Sequence, residues 1–165
     1  MKTKLLFLML FALLLVPAGC GGGDADLPPQ EYTANSITVN VPGGWEASYG
    51  ENEQQILLAS PGEEYVTGIQ ILATGPATAQ EFAALMSSEL DGTTPIASPL
   101  YGEYFFDATI MGYPAHINIL TVDGYSLVLV EIGDYKKFAQ PVSGIVKSMK
   151  SSKPEFQKVI DAIKY

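Results

Sequence analysis

His116 is the only histidine in this chain of 165 residues, and its imidazole is the side chain best suited to acid–base chemistry. An unperturbed imidazole titrates near neutral pH, so it could act as a general base or as a metal ligand. A nucleophilic serine is expected in a Gly-x-Ser-x-Gly turn, and a zinc site needs several His or Cys ligands. The sequence has neither. Strict alternation puts His116 on one strand face with Asn118 and Leu120, which favours a partly exposed structural histidine.

The carboxylates offer a second kind of chemistry, because calcium prefers oxygen ligands. The nearest candidates are the adjacent Glu63 and Glu64, and the pair Glu103 and Asp107. Neither pair has the spacing of an EF-hand loop, so solvated surface charge is the favoured interpretation. We therefore predict no catalytic residue, no metal site and no cofactor, and we do not expect an enzyme.

Aromatic side chains could contact a ligand or a partner through their apolar rings and polar tips. Trp45 follows Pro42-Gly43-Gly44 and is the most prominent of them. We select Trp45, Tyr113 and His116 as candidate ligand-binding residues. The alternative for Trp45 is a structural side chain that covers the edge of a sheet. Five tyrosines in or near β-rich segments form a further hypothetical partner surface: Tyr101, Tyr104, Tyr113, Tyr125 and Tyr135.

The N-terminal segment predicts secretion and lipid attachment at the only cysteine, Cys20. Two lysines, an apolar run over residues 5–16 and small residues before the cysteine form the secretory pattern. As a helix, this run measures about 18 Å, whereas the hydrocarbon core of a bilayer is about 30 Å thick. The stretch resembles a lipobox, with Pro17 at a place usually held by an aliphatic residue. We predict a signal peptide over 1–19 and a lipidated Cys20; the alternative is a secreted protein with one free thiol.

A lipidated Cys20 would attach the protein to a membrane of the bacterial cell envelope, facing the periplasm or the exterior. The resemblance implies firm attachment, because bacterial lipoproteins carry diacylglycerol and often a third acyl chain. In a Gram-negative host, Gly21 resembles the default for release to the outer membrane. Residues 20–31 are rich in glycine and proline and predict a flexible tether spanning roughly 18 Å. A single domain is then expected over 32–165.

Charge is distributed unevenly along the chain, which contains no arginine. Sixteen of the 18 acidic residues lie between Cys20 and Tyr135, a stretch without lysine, and seven of the nine lysines follow. The acidic body excludes nucleic acid as a partner, because nucleic acid requires a cationic surface. Solubility explains the acidity most simply; the alternative is a cationic or metal-bearing partner that is attracted electrostatically.

Local patterns predict strands followed by a helix in the first half of the domain. Three or four consecutive strands are expected to form an early meander, over residues 36–41, 45–49, 54–60 and 65–74. A capping box at Thr78 and Glu81 then begins an amphipathic helix, which ends near Gly92. The apolar stripe of this helix consists of Phe82, Leu85, Met86 and Leu90.

In the second half, the two-residue turns Met111-Gly112 and Asp123-Gly124 predict hairpins. They join strands over residues 103–110, 113–122 and 125–132. Residues 126–132 are almost continuously apolar, so we place them at the centre of the sheet, buried on both faces. Helical periodicity returns in a helix that we expect to start at Pro141. A second capping box, at Ser152 and Glu155, predicts a last helix over 153–164.

The phrase Ile37-Thr-Val-Asn-Val-Pro-Gly-Gly-Trp45 resembles the opening of the Mog1/PsbP-like superfamily, which includes DcrB-type and LpqN-type bacterial lipoproteins. The phrase Ser148-Met-Lys150 resembles its close. The resemblance covers roughly residues 32–150 and implies an α+β fold, an α/β/α sandwich around an antiparallel sheet. It also implies a binding or assembly role without a catalytic residue set. The helix over 153–164 and the absence of arginine depart from the family pattern.

These observations together predict an envelope-anchored, non-enzymatic binding or assembly module. Its expected partners are the membrane, through the N-terminal lipid, and an envelope protein. The alternative is a carrier that holds a small ligand or a metal ion between the sheet and a helix. A third possibility, an envelope hydrolase, requires His116 beside an acid in a cleft.

Overall fold

The computed structural model describes residues 27–50 and 55–165. The predicted signal peptide 1–19, the lipidation site Cys20 and most of the predicted tether lie outside the described residues. The described part contains ten strands in two antiparallel sheets, together with three α-helices and one short 3-10 helix. None of these α-helices has the length and hydrophobicity needed to cross a bilayer.

The element bounds agree closely with the sequence patterns in most of the domain. The first strand is an exception, because it begins at Gln30 and so takes in the last two residues of the predicted tether. The strands are β1 (Gln30–Ala34), β2 (Ile37–Val41), β3 (Glu46–Tyr49), β4 (Gln55–Ala59), β5 (Tyr65–Ala73), β6 (Ile96–Ala97), β7 (Tyr104–Ile110), β8 (Tyr113–Val122), β9 (Tyr125–Gly133) and β10 (Lys150–Ser151). The helices are α1 (Ala79–Glu89), α2 (Tyr135–Ser148) and α3 (Pro154–Asp161), with the 3-10 helix at Pro61–Glu63.

The large sheet has the strand order β3-β4-β5-β9-β8-β7-β6, which places β9 in the middle. Residues 126–132 are all buried, with Ile132 the most exposed at 9%. The predicted central position is therefore confirmed. An almost continuously apolar strand is stable only where both faces of the sheet are covered.

The two predicted hairpin turns are confirmed at both ends of β8. Met111 and Gly112 have φ values of 53° and 87°, and Asp123 and Gly124 have φ values of 51° and 81°. Two consecutive positive φ values are typical of a type I′ turn, whose twist matches that of the flanking strands. These turns set the register in which β7, β8 and β9 pair.

Helices cover the large sheet on both sides, which confirms the predicted α/β/α arrangement. We call the face that carries Ile69, Leu127 and Leu129 face A; it packs against α2, α3 and β2. We call the opposite face, with Val128 and Val130, face B; it packs against α1. The two apolar cores are thus separated by the sheet itself.

The predicted early meander is only partly correct. Strands β3, β4 and β5 do form a meander, but β2 pairs with β1 and β10 in a separate three-stranded sheet. A tight turn ends β2: the Trp45 N–H donates to the Pro42 carbonyl at 3.1 Å, and Gly44 has a φ of 77°. The apolar side of β2 then packs in the core on face A rather than extending the large sheet.

The structure corrects two predictions about where helices begin. Helix α2 starts at Tyr135, and Pro141 lies inside it, because the Asp134 carboxylate caps the helix. Its Oδ1 accepts hydrogen bonds from the backbone N–H groups of Lys136 at 3.1 Å and Lys137 at 3.3 Å. The capping box predicted at Ser152 is absent: the N-cap position is Lys153 and makes no side-chain bond. The Ser152 N–H donates instead to the Ser36 carbonyl.

In contrast, the capping box of α1 is confirmed, with Thr78 and Glu81 bonded reciprocally. One member of its predicted apolar stripe is wrong, because Leu85 is 44% exposed. At 100° per residue, Leu85 lies well to one side of the buried ridge. That ridge consists of Ala79, Phe82, Ala83 and Met86.

We predict that Asp134→Ala lowers the free energy of unfolding by about 1 kcal/mol, the typical cost of losing an N-cap. Its matched control is Ser152→Ala, at the position where the sequence pattern wrongly placed a cap, and this variant should unfold like the wild type. Urea denaturation followed by circular dichroism measures both. Equal losses in the two variants would contradict the assignment of Asp134 as the cap.

Candidate functional site

A row of polar side chains crosses face A of the large sheet. In the strand register, Asp107 of β7 lies opposite His116 of β8, which lies opposite Glu131 of β9. Glu131 in turn lies opposite Thr67 of β5. Directly opposed residues of antiparallel strands are close enough for their side chains to interact. The sheet therefore assembles one line of polar groups from four different strands.

His116 has little freedom within this row. Its Nδ1–H donates to Oδ1 of Asp107 at 2.7 Å, and its side chain is only 14% exposed. The ring lies near that of Phe105, with centroids 4.5 Å apart, and stacks on Tyr135 at 4.8 Å with an interplanar angle of 18°. Two aromatic neighbours and one carboxylate thus fix the orientation of the imidazole.

Glu131 is the buried carboxyl at the centre of the row, with only 4% of its surface exposed. Its Oε1 accepts a hydrogen bond from the Tyr65 hydroxyl at 2.7 Å, and its Oε2 accepts one from Asn118 Nδ2 at 3.3 Å. Burial raises the pKa of Glu131, because desolvation disfavours the charged form. The Tyr65 hydrogen bond and the nearby His116 oppose this rise.

Tyr65 connects the polar row to an aromatic cluster. Burial raises the pKa of its hydroxyl well above the ordinary value, and the Glu131 charge adds to the effect, so Tyr65 remains a donor. Its ring stacks on Phe138 of α2 at 4.8 Å, and Trp45 packs edge-on against both rings at 6.0 and 5.9 Å. Trp45 thereby contributes to the attachment of α2 to the sheet.

The row has the acid–histidine pair of a catalytic site but lacks other parts of one. Within residues 27–50 and 55–165, the side-chain hydrogen bond of His116 goes to Asp107, and its ring makes no hydrogen bond to a serine or threonine hydroxyl. In the same residues, no three His, Cys, Asp or Glu side chains are placed to hold a metal ion. The arrangement holds the His116 imidazole in one orientation and provides the buried Glu131 carboxyl with hydrogen-bond donors.

Sequence reasoning missed Glu131 and Tyr65, although one signal for Glu131 was present. It is the only charged residue in the apolar segment 126–132, and a charged residue in a buried strand requires a partner. The residue that supplies the partner, Tyr65, is 66 positions away in the chain. Its identity therefore depends on the pairing of β5 with β9.

A separate feature is an open groove of about 410 Å³ on face B. This is the face of the sheet on which α1 packs. Its floor is apolar and includes Leu57, Val66 and Ile132. The turn between β7 and β8 forms one wall, and there Met111 and Tyr113 are 60% and 63% exposed. Helix α1 packs on β7 and β8, and the groove lies beside it over β3, β4 and the start of β5.

The rim of this groove is acidic. Glu46, Glu63 and Glu64 line it, and no lysine of the described ranges does. Lys137 of α2 forms an ion pair with Glu64. Among the described residues, Glu46 and Glu63 form no ion pair. Of the two carboxylate pairs weighed as calcium ligands in the sequence, Glu64 contacts Lys137 and Asp107 contacts His116.

The three candidate ligand-binding residues do not form one site. Trp45 and His116 belong to face A and are connected through Tyr65 and Glu131. Tyr113 lies on the opposite face, at the groove. Trp45 also borders a second depression of about 410 Å³, which lies between the start of β1 and segment 41–47.

Comparison with known proteins identifies the fold. No protein-family model matches the sequence, and no curated protein matches it. Among solved structures, the chain is similar to the Ran-binding protein Mog1p of Saccharomyces cerevisiae, with a TM-score of 0.50 and 10% identity over 76% of this chain and 96% of that one. At this identity the likeness shows the fold alone, and it confirms the Mog1/PsbP-like architecture expected from the Ile37–Trp45 phrase.

Two further solved structures match at lower TM-scores. One is the cyanobacterial PsbP (CyanoP) of Synechocystis, with a TM-score of 0.45 and 13% identity over 82% of this chain and 98% of that one. The other is a protein of Bacteroides thetaiotaomicron, with a TM-score of 0.43 and 16% identity over 72% of this chain. The match spans 46% of the length of the Bacteroides protein.

We predict that Glu131→Gln stabilises the protein increasingly as the pH rises above about 4, the ordinary range of a carboxyl pKa. A carboxyl whose folded pKa is raised contributes stability below its unfolded pKa and loses it as the pH rises through the folded pKa. Glutamine can still accept from Tyr65, and Asn118 can reverse its amide to accept from the new NH₂ group. Each unit by which the pKa is raised corresponds to about 1.4 kcal/mol.

Thermal unfolding of both proteins from pH 4 to pH 8 measures this difference. The melting temperature of Glu131→Gln should rise relative to the wild type across that range. The exposed carboxyl Glu103 gives the control, since Glu103→Gln should follow the wild-type curve. Parallel curves for Glu131→Gln and the wild type would show that Glu131 does not titrate differently in the folded protein.

Proposed function

We propose that this protein is an envelope-anchored, non-enzymatic binding module, and that the groove on face B is its docking surface for an envelope protein. The observation that carries the proposal is an open groove with an apolar floor, whose wall exposes the large side chains of Met111 and Tyr113. Exposed apolar surface that is contiguous and rimmed by polar groups is typical of interaction sites.

The wall of the groove supports a protein partner. Met111 and Tyr113 place large apolar side chains in solvent beside the floor. Aromatic residues and methionine are enriched in protein interfaces, where their side chains bury a large apolar area. The turn that carries them is a tight type I′ turn, so their backbone is already ordered before a partner binds.

The polar row on face A supports a structural role rather than catalysis. Its central carboxyl is buried and accepts hydrogen bonds from Tyr65 and Asn118, and the His116 ring packs against two aromatic neighbours. Neither of the two grooves described above includes His116 or Glu131 in its lining. A hydrolase would need the imidazole open to substrate and beside a nucleophile.

The membrane attachment in this proposal comes from the N-terminal sequence. The secretory pattern before Cys20 and the small residues at the cut site support cleavage and lipidation. Diacylation gives stable anchoring where a single chain gives only marginal binding. In a Gram-negative host, Gly21 after the lipidated cysteine supports transfer to the outer membrane.

A small-ligand carrier is the second candidate function, and the size of the groove favours it. A volume of about 410 Å³ lies within the range of roughly 300–1,000 Å³ that is usual for small-molecule sites. A carrier would have to hold its ligand against the apolar floor. Ligand extracted from the protein purified from its host would favour this function over protein binding.

The mature N-terminus is predicted to be Cys20 carrying diacylglycerol. Intact-mass measurement of the membrane-extracted protein should show loss of residues 1–19 and added lipid mass. Cys20→Ser should abolish the added lipid mass. A mature chain with a free thiol at Cys20 would refute the anchor without bearing on the groove.

The groove itself is tested by Met111→Ser combined with Tyr113→Ser. We expect this variant to lose at least tenfold in recovery of its specific partner when the lipidated protein is crosslinked in membranes and captured. Leu85→Ser is the matched control, because it removes an apolar side chain that is 44% exposed on α1 outside the groove. Equal recovery by all three proteins would show that partner binding does not use the groove.

A further inference from the structure

The groove lies against the outer edge of the large sheet. Strand β3 is the first in the strand order, so within the described residues it has a neighbour only on the β4 side. The Gly50 N–H donates to the Gln55 carbonyl at 3.0 Å, which makes these two residues a hydrogen-bonded pair. Bonded and non-bonded pairs alternate along antiparallel strands. Ser48 and Glu46 therefore bond to β4, while the backbone groups of Ala47 and Tyr49 point outward.

An outward row of N–H and C=O groups is a template for one more strand. The two residues that alternate with Ala47 and Tyr49, namely Glu46 and Ser48, have side chains that line the groove on face B. A strand added to β3 would direct every second side chain to this same groove, because side chains alternate with a period of two. One extended segment can therefore pair its backbone with β3 and place its side chains in the groove at the same time.

On the added strand, the positions beside Glu46 and Ser48 favour different side chains. Ser48 lies opposite Leu57 of β4, part of the apolar floor. A large apolar side chain placed beside the small Ser48 can reach across it to Leu57. A side chain two residues away lies beside Glu46, where directly opposed opposite charges are favourable.

The negative charge around the groove further restricts which segments can bind. Glu46 and Glu63 make no ion pair with any residue that the structure describes, and no lysine lines the groove. Acidic segments are disfavoured here by like-charge repulsion. The chain's own residues 20–26 carry Asp24 and Asp26 and no lysine, so they do not suit this rim. A cationic segment of another protein does.

We infer that the groove binds an extended segment of a partner protein, which adds to β3 as an edge strand and presents a lysine or arginine two residues from a large apolar side chain. This inference rests on the proposed function, because it names the partner chemistry at the same groove. Hydrogen bonds to the backbone of Ala47 and Tyr49 provide the affinity, and the groove selects which side chains of the partner segment fit.

The test uses the full-length protein and the fluorescein-labelled peptide Thr-Lys-Thr-Leu-Thr-Lys-Thr, followed by fluorescence anisotropy. This sequence places both lysines and the leucine on one strand face and reads the same in either direction. The control peptide Thr-Thr-Lys-Leu-Lys-Thr-Thr has the same composition but divides lysine and leucine between opposite faces. We expect it to bind at least tenfold more weakly, and a third peptide with glutamate for lysine to bind more weakly still.

Two variants examine the two halves of the inference. Ala47→Pro removes an outward N–H while leaving the bonds between β3 and β4, and edge strands tolerate proline. The combination of Glu46→Lys with Glu63→Lys reverses the rim charge. Each should weaken binding of the first peptide at least tenfold. Glu89→Lys with Glu103→Lys makes the same charge change on exposed residues outside the groove and should leave binding unchanged.

The outcomes separate this inference from the proposed function. Equal binding of the first two peptides, or wild-type binding by a folded Ala47→Pro protein, would overturn strand addition. If the envelope partner were still lost with Met111→Ser and Tyr113→Ser, the groove would remain the docking surface for a segment of another kind. Should neither the peptides nor the envelope partner depend on the groove, both proposals would fail.

Discussion

Strand β9 must be buried on both faces, and the placement of every other element depends on that requirement. Residues 126–132 are at most 9% exposed, and burying each large apolar side chain contributes about 1.5–3 kcal/mol. Strands β5 and β8 satisfy its backbone on either side. The helices and the small sheet then cover its two faces. A β9 at the edge of the sheet would expose this surface and remove the reason for a sandwich.

Glu131 is the one charged group inside this apolar strand, and it determines the chemistry of face A. A buried carboxyl is costly unless it is hydrogen-bonded, and Tyr65 and Asn118 supply those bonds. Tyr65 in turn anchors the rings of Trp45 and Phe138 and so connects the sheet to α2. Glu131 thus lies between the aromatic cluster and the Asp107–His116 pair, which it joins in one polar row.

The two faces are covered unequally, and the possible function follows from that difference. Face A packs against α2, α3 and β2, whereas α1 is the α-helix that packs on face B among the described residues. Helix α1 packs on β7 and β8 and leaves an apolar floor beside the edge strand β3. Three acidic residues, Glu46, Glu63 and Glu64, line that opening. The groove thus combines exposed apolar side chains, negative charge and a strand edge that none of the described strands pairs with.

The sequence by itself determined the local elements of this protein and much of its fold. Alternation, glycine turns and the capping box at Thr78 identified the strands, the hairpins and α1, because these signals depend on neighbouring residues. The continuously apolar segment 126–132 identified the central strand, and the Ile37–Trp45 phrase indicated the fold family. The start of α2 was predicted at Pro141, because proline is common in the first turn of a helix. The helix begins earlier, at Tyr135, where Asp134 caps it.

Only the tertiary structure decided which residues meet. The bond between Tyr65 and Glu131 joins positions 66 residues apart, and the separation of Trp45 and His116 from Tyr113 depends on which sheet face each occupies. The departure of β2 into a second sheet and the groove on face B have the same origin. Both features depend on the order of the strands and on the area of sheet that a helix covers. The spacing of neighbouring residues in the sequence determines neither of these two properties.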